Sequence, residues 1–136
     1  TMRHILTIYG AEVRGALTMT KTPRARIEAI IRANFAPSQF REEMVAAWLN
    51  FYVQAQKSHQ ARRLLHVYQR RLRSNLHHAF RQLAPDNART LTRGLAAMID
   101  GLYIRQALHE QPLSREAAIN VLLHYIDTSL EHEGTK

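Results

Sequence analysis

The sequence predicts an all-α fold, a bundle of six helices. Three observations carry this. Glycine and proline are scarce, five and four in 136 residues, and the prolines (Pro23, Pro37, Pro85 and Pro112) punctuate helical stretches. Between them, apolar residues recur at helical spacing. No alternation of apolar and polar residues lasts long enough to make a strand.

The first helix is expected over Thr1–Leu17, with Ile5, Ile8, Tyr9, Val13 and Leu17 in register. The second starts at Thr22-Pro23, where Thr can cap and Pro fits the first helical position. Its stripe is Ile27, Ile30, Ile31 and Phe35, and Ala36-Pro37 ends it. Ser38 is the expected N-cap of the third helix, with Glu42 and Glu43 near its start, where the helix dipole favours acids. That helix carries Phe40, Met44, Val45, Trp48, Phe51, Tyr52 and Ala55.

The fourth helix runs over about 59–83 with an amphipathic stripe from Leu64 through Leu72 to Leu83, and Pro85-Asp86-Asn87 turns the chain. The fifth, Asn87 to Glu110, is apolar nearly all round between Leu95 and Ile104, so it should be buried on most sides. Ser114 caps the sixth, which reaches about Leu130, and the tail 131–136 is expected to fray. The chain therefore reads as one domain, 1–136, with a 46% hydrophobic composition that can fill a core.

Composition excludes several function classes. With no cysteine there are no disulfides and no thiolate metal sites. No apolar run approaches the roughly 20 residues of a membrane span. Thr1-Met2-Arg3-His4 opens no signal peptide, because no continuous apolar segment follows, so a cytoplasmic protein without a membrane partner is expected. The net charge of +8 by itself is only a weak pointer to a polyanionic partner, and the densest cluster, Arg62 to Arg81, reads first as a solvated helix face.

No glycine-rich phosphate loop or nucleophile elbow is present. No Glu-x-x-His pair occurs, and the adjacent His77 and His78 diverge by about 100° on a helix. The expectation is a non-enzyme with no catalytic residue, no metal and no cofactor.

Two features stand out. Asp100 sits in a stretch that is otherwise Leu, Ala, Met, Ile, Gly and Tyr. A buried carboxylate must be paired, hydrogen-bonded or protonated, so Asp100 either makes a structural pair, for instance with Arg93 or Arg105 of a neighbouring chain, or faces a ligand cation. The second feature is aromatic. Trp48, Phe51 and Tyr52 lie three and four residues apart on one helix, and Tyr103 follows Asp100 by three. They are either core aromatics or the walls of a cage for a quaternary ammonium.

The segments Ala47-Trp-Leu-Asn-Phe-Tyr52, Arg70-Arg-Leu-Arg-Ser-Asn75 and Gly94-Leu-Ala-Ala-Met-Ile-Asp-Gly-Leu-Tyr-Ile-Arg-Gln-Ala-Leu108, with the Pro112-Leu113 restart, resemble the C-terminal part of TetR-family transcriptional regulators. Within that family the likeness is to its choline-responsive repressors of glycine betaine synthesis, and it covers most of the chain from about Val45. It implies a six-helix effector-binding and dimerising domain, with residues 1–18 as the linker helix to a DNA-binding head. No helix-turn-helix is matched here, so the sequence is expected to be a truncation or fragment that would meet operator DNA only through that head.

The resemblance further implies a homodimer through a four-helix interface of the last two helices. Ala96, Ala97, Ala117 and Ala118 would allow close approach there, beside Val121 and Tyr125. It implies a choline site walled by Trp48, Tyr52 and Tyr103 next to Phe51, with Asp100 or Glu43 as counter-charge. Two other readings stay open: a sensor of the same type for another lipophilic or cationic molecule, and a free-standing helical partner-binding module.

Overall fold

A computed structural model describes residues 2–109 and 112–134. The chain forms six helices: α1 (Met2–Thr18), α2 (Pro23–Asn34), α3 (Glu42–Lys57), α4 (His59–Leu83), α5 (Ala88–Ala107) and α6 (Arg115–Gly134). No strand occurs among the described residues. The expected end of the fifth helix at Glu110 and the last two residues of the tail lie outside them.

The short α2 is the centre of the bundle. Ile27, Ile30 and Ile31 are fully buried and pack towards α1, α4 and α6. The Thr22 hydroxyl accepts from the Ala25 amide and Pro23 takes the first position, as the sequence predicts. The α3, α4 and α5 helices pack against one another, closing the core with Trp48, Leu76, Phe80, Leu95 and Ile99. Burial of this apolar surface is the main favourable term in the fold.

The α6 helix lies across α5 and α2 and buries Ala118, Ile119, Leu122 and Ile126. It is fastened at its start and again past its middle. Arg115 Nε donates to the Phe35 carbonyl at 2.6 Å, and Arg24 forks onto both carboxylate oxygens of Asp127 at 2.9 and 3.1 Å. The Gln106 side chain bonds both backbone groups of Leu113, which ties the last turn of α5 to the chain just before α6.

Three expected boundaries move. The third helix begins at Glu42, and its N-cap position is Arg41, with no side-chain cap. Ser38 instead sits in a turn and donates to Glu12 Oε1 at 2.5 Å. Gln39 and Phe40 cause the difference. Their amides bond back to the Ala36 carbonyl and their side chains enter the core, so this segment cannot be the first turn of an outward-facing helix. The tail does not fray at Glu131: α6 continues through Gly134, with Leu130 still packed against the core. The fifth helix ends earlier than expected: α5 stops at Ala107, Leu108 is its C-cap, and His109 takes the left-handed conformation (φ 56°), a common C-terminal arrangement.

An aromatic cavity inside the bundle

Five elements converge on one point in the core. Tyr9 comes from α1, Asn34 from the end of α2, and Gln39 from the following turn. Trp48 and Tyr52 come from α3, Tyr68 from α4 and Tyr103 from α5. Together they close around one point and leave no space there wide enough for a water molecule. The Trp48 ring is the hub: centroid distances are 4.8 Å to Tyr68, 6.2 Å to Tyr9, 6.3 Å to Tyr52 and 6.5 Å to Tyr103. These separations suit mutually tilted or edge-on aromatic pairs.

Each polar group in the wall has a defined partner, with one exception. Tyr9 Oη donates to Asn34 Oδ1 at 3.0 Å, and Asn34 Nδ2 donates to the Ile30 carbonyl at 2.8 Å. Tyr103 Oη donates to the Asn34 carbonyl. Trp48 Nε1 donates to Gln39 Oε1 at 3.3 Å. Gln39 Nε2 is buried and has no partner. An unsatisfied buried donor costs about 1–3 kcal/mol, so this amide is a ready site for an acceptor.

Asp100 stands behind this wall. It accepts from Tyr52 Oη at 3.0 Å. Burial raises its carboxyl above the ordinary range, and the Tyr52 hydrogen bond only partly offsets that. Burial also raises the phenols of Tyr9, Tyr52, Tyr68 and Tyr103, so at neutral pH they are neutral donors. The site can therefore offer π-faces, one carboxylate and one free amide. It has no nucleophile with a base beside it. Among the described residues no group of three His, Asp or Glu could hold a metal ion.

Of the residues the sequence singled out, Trp48, Tyr52 and Tyr103 line the cavity and Asp100 abuts it. Phe51 is buried 6.1 Å from Trp48 but faces the side towards Met2 and Ile5 of α1. Glu43 is exposed on the first turn of α3 and is not brought to the cavity. Four wall residues escaped sequence reading: Tyr9, Asn34, Gln39 and Tyr68. Tyr9 and Tyr68 sit on apolar stripes and read as plain core. Asn34 had a usable signal, since it lies four residues after Ile30 on the apolar face of α2.

The residues expected at a dimer interface divide in the same way. Val121 (41% exposed) and Ala97 are on the outside, and Ala96, Ala117 and Tyr125 are half-buried. Ala118 is fully buried beside Ile119 and Leu122. An alanine already covered within its own protomer has no area left for a partner, so Ala118 is corrected to the core. Ile104 and Leu108, 39% and 61% exposed, continue the apolar outer face of α5.

The sequence profile described as "BetI-type transcriptional repressor, C-terminal" matches residues 23–131. The HTH-type transcriptional regulator BetI of Brucella anthropi is 48% identical over 134 residues, covering 98% of this chain and 69% of that protein. BetI of Rhizobium meliloti is 46% identical over 135 residues, covering 98% and 66%. The chain thus spans about two thirds of the length of these relatives. A crystal structure of a Pseudomonas aeruginosa protein described as a transcriptional regulator superposes with a TM-score of 0.79 at 21% identity, covering 93% of this chain and 65% of the other. That likeness concerns the fold. No helix among the described residues is long and apolar enough to cross a membrane.

Proposed function

The chain belongs to the BetI-type transcriptional repressors, and from that premise we propose that it is the effector-sensing, dimerising part of such a repressor, with choline as effector. The single observation that carries the reading is the ring of Trp48 and four tyrosines around one space, backed by the Asp100 carboxylate. Aromatic faces attract a quaternary ammonium, each contributing about 0.5–2 kcal/mol when desolvated. Asp100, rather than the remote Glu43, supplies the counter-charge. The free amide of Gln39 donates to the ligand's hydroxyl oxygen.

The closed cavity links binding to movement. Its walls must part to admit a ligand, and Tyr9 is the one wall residue carried by α1. Choline that wedges Tyr9 from Trp48 tilts α1, the helix that leads to the DNA-binding head in this family. An effector shifts such an equilibrium only by its difference in affinity for the two arrangements. In the whole protein, two heads held by a two-fold interface reach successive major-groove turns about 34–36 Å apart, and the tilt breaks that spacing. The outer faces of α5 and α6, with Ala97, Ile104, Leu108 and Val121, form that interface. A repressor of this kind acts in the cytoplasm and catalyses nothing.

Isothermal titration tests the site. Choline binds the parent, Asp100→Asn weakens it about tenfold or more, and Gln39→Leu weakens choline about fivefold while leaving tetramethylammonium, which lacks the hydroxyl, unaffected. Absence of heat with the parent, or unchanged choline affinity in both variants, overturns the assignment.

A further inference from the structure

A second concavity has the opposite electrostatics. The α1 helix leans on α2 and makes few close approaches to α4, which leaves a groove of about 800 Å³ between α1 and α4. Its floor is apolar: Val13, Ile30, Tyr68 and Leu72 are buried at its base, and Val67 stands 41% exposed along it. Four exposed arginines rim it, Arg3 and Arg14 from α1 and Arg63 and Arg71 from α4, and no Asp or Glu lines it. No ion pair satisfies these four among the described residues. The whole of α4 carries six arginines and no carboxylate in 25 residues. The absence of a side chain at Gly10 gives the Arg14 guanidinium room, since a Cβ there would stand 3.3 Å from Nη1.

We infer that this groove is a second small-molecule site, one that takes a long-chain carboxylate. Its size falls in the range of small-ligand clefts, about 300–1,000 Å³. The floor suits an alkyl tail. The guanidinium forks suit a carboxylate, which each can bind through two parallel hydrogen bonds. Four unneutralised arginines repel a cation, so the groove selects against the ligand chemistry that the aromatic cavity favours. Electrostatic complementarity of this kind sets specificity more than raw affinity. Tyr9 and Tyr68 belong to the walls of both spaces, so a tail lying on them bears on the same residues that enclose the cavity.

Laurate and dodecyltrimethylammonium, which share one tail and differ in head charge, are the probes, titrated below their micellar concentrations by calorimetry. Laurate is expected to bind one per protomer and the ammonium probe at least tenfold more weakly. Arg63→Gln combined with Arg71→Gln, both exposed positions that leave the core intact, should weaken laurate about tenfold or more. Arg89→Gln, an exposed arginine outside the groove, should leave it unchanged. Equal binding of the two probes, undiminished laurate affinity in the double variant, or no laurate binding to the parent overturns the inference.

Discussion

The two sides of α5 make opposite use of one apolar helix. Its inner side turns Ile99 and Tyr103 into the bundle and sets Asp100 against Tyr52. Its outer side shows Ala97, Ile104 and Leu108 to solvent, with Gly101 between them. Residue types are similar on both sides, but their surroundings are not. Inside, a carboxylate is paired and desolvated and aromatic rings meet within 7 Å. Outside, small and branched residues leave a smooth strip. In the proposed reading, the same hydrophobicity serves ligand enclosure on one side and subunit contact on the other.

The comparison breaks most visibly at the outer strip. Ile104→Arg with Leu108→Arg places charges on it, and two-fold symmetry doubles each. Burying an unpaired charge costs about 3–5 kcal/mol, so the dimer dissociation constant should rise about a thousandfold or more by sedimentation equilibrium, with helicity retained. A dimer that persists would move the interface elsewhere. On the inner side, Trp48→Ala should lower unfolding stability by about 3–5 kcal/mol in denaturant titration, the usual loss for a buried aromatic. A loss under 1 kcal/mol would mean that Trp48 is not the hub of the packing.

Two glycines sharpen the contrast within the same helix. A Cβ at Gly94 would overlap Tyr125 Oη, whereas one at Gly101 meets nothing within 4 Å. Gly94→Ala overpacks the α5–α6 contact, which costs about 1–3 kcal/mol and exceeds the gain in helix propensity. A net loss of about 1 kcal/mol is expected. Gly101→Ala should stabilise the protomer by about 0.5–1 kcal/mol and weaken the dimer at the same time. Both glycines lie on one face of the helix, seven residues apart, so equal effects of the two substitutions in thermal unfolding would show that Tyr125 does not crowd Gly94.

The smallest effect concerns Asp100. Its carboxyl holds a proton to higher pH when folded than when unfolded. Between those two pH values the folded state binds more protons, so stability declines as pH rises through that window. Above it, the charged form is a net cost. Asp100→Asn should abolish this decline and leave the unliganded protein slightly more stable at neutral pH, even as it loses affinity for a cation. Glu28, whose carboxyl is lowered by Arg32 and Arg24, adds the opposite trend to both proteins, so the readout is the difference between parent and variant: an identical pH dependence in the two would show that Asp100 is not desolvated.

How much of this was legible before folding differs by residue. Trp48, Tyr52, Asp100 and Tyr103 were identifiable because each breaks or decorates a helical pattern. Tyr9 and Tyr68 were hidden because a tyrosine on an apolar stripe looks the same whether it fills a core or walls a cavity. Gln39 was hidden because Ser38 offered a plausible cap, and only the inward turn of Gln39 and Phe40 showed that the helix starts later.

Six helices, most of their boundaries and the apolar face of each amphipathic one follow from the order of residues alone, because a helix has a fixed period and caps and prolines mark its ends. Tertiary structure decided what those faces meet. Tyr103 reaches Asn34 across 69 positions and Tyr52 reaches Asp100 across 48. Periodicity inside a helix carries no information about such pairings, which depend on how the helices cross. For α5, apolar on nearly every side, and for the alanines and valine of α6, even the choice between inside and outside was left to packing. That choice placed Ala118 in the core and Val121 at the surface.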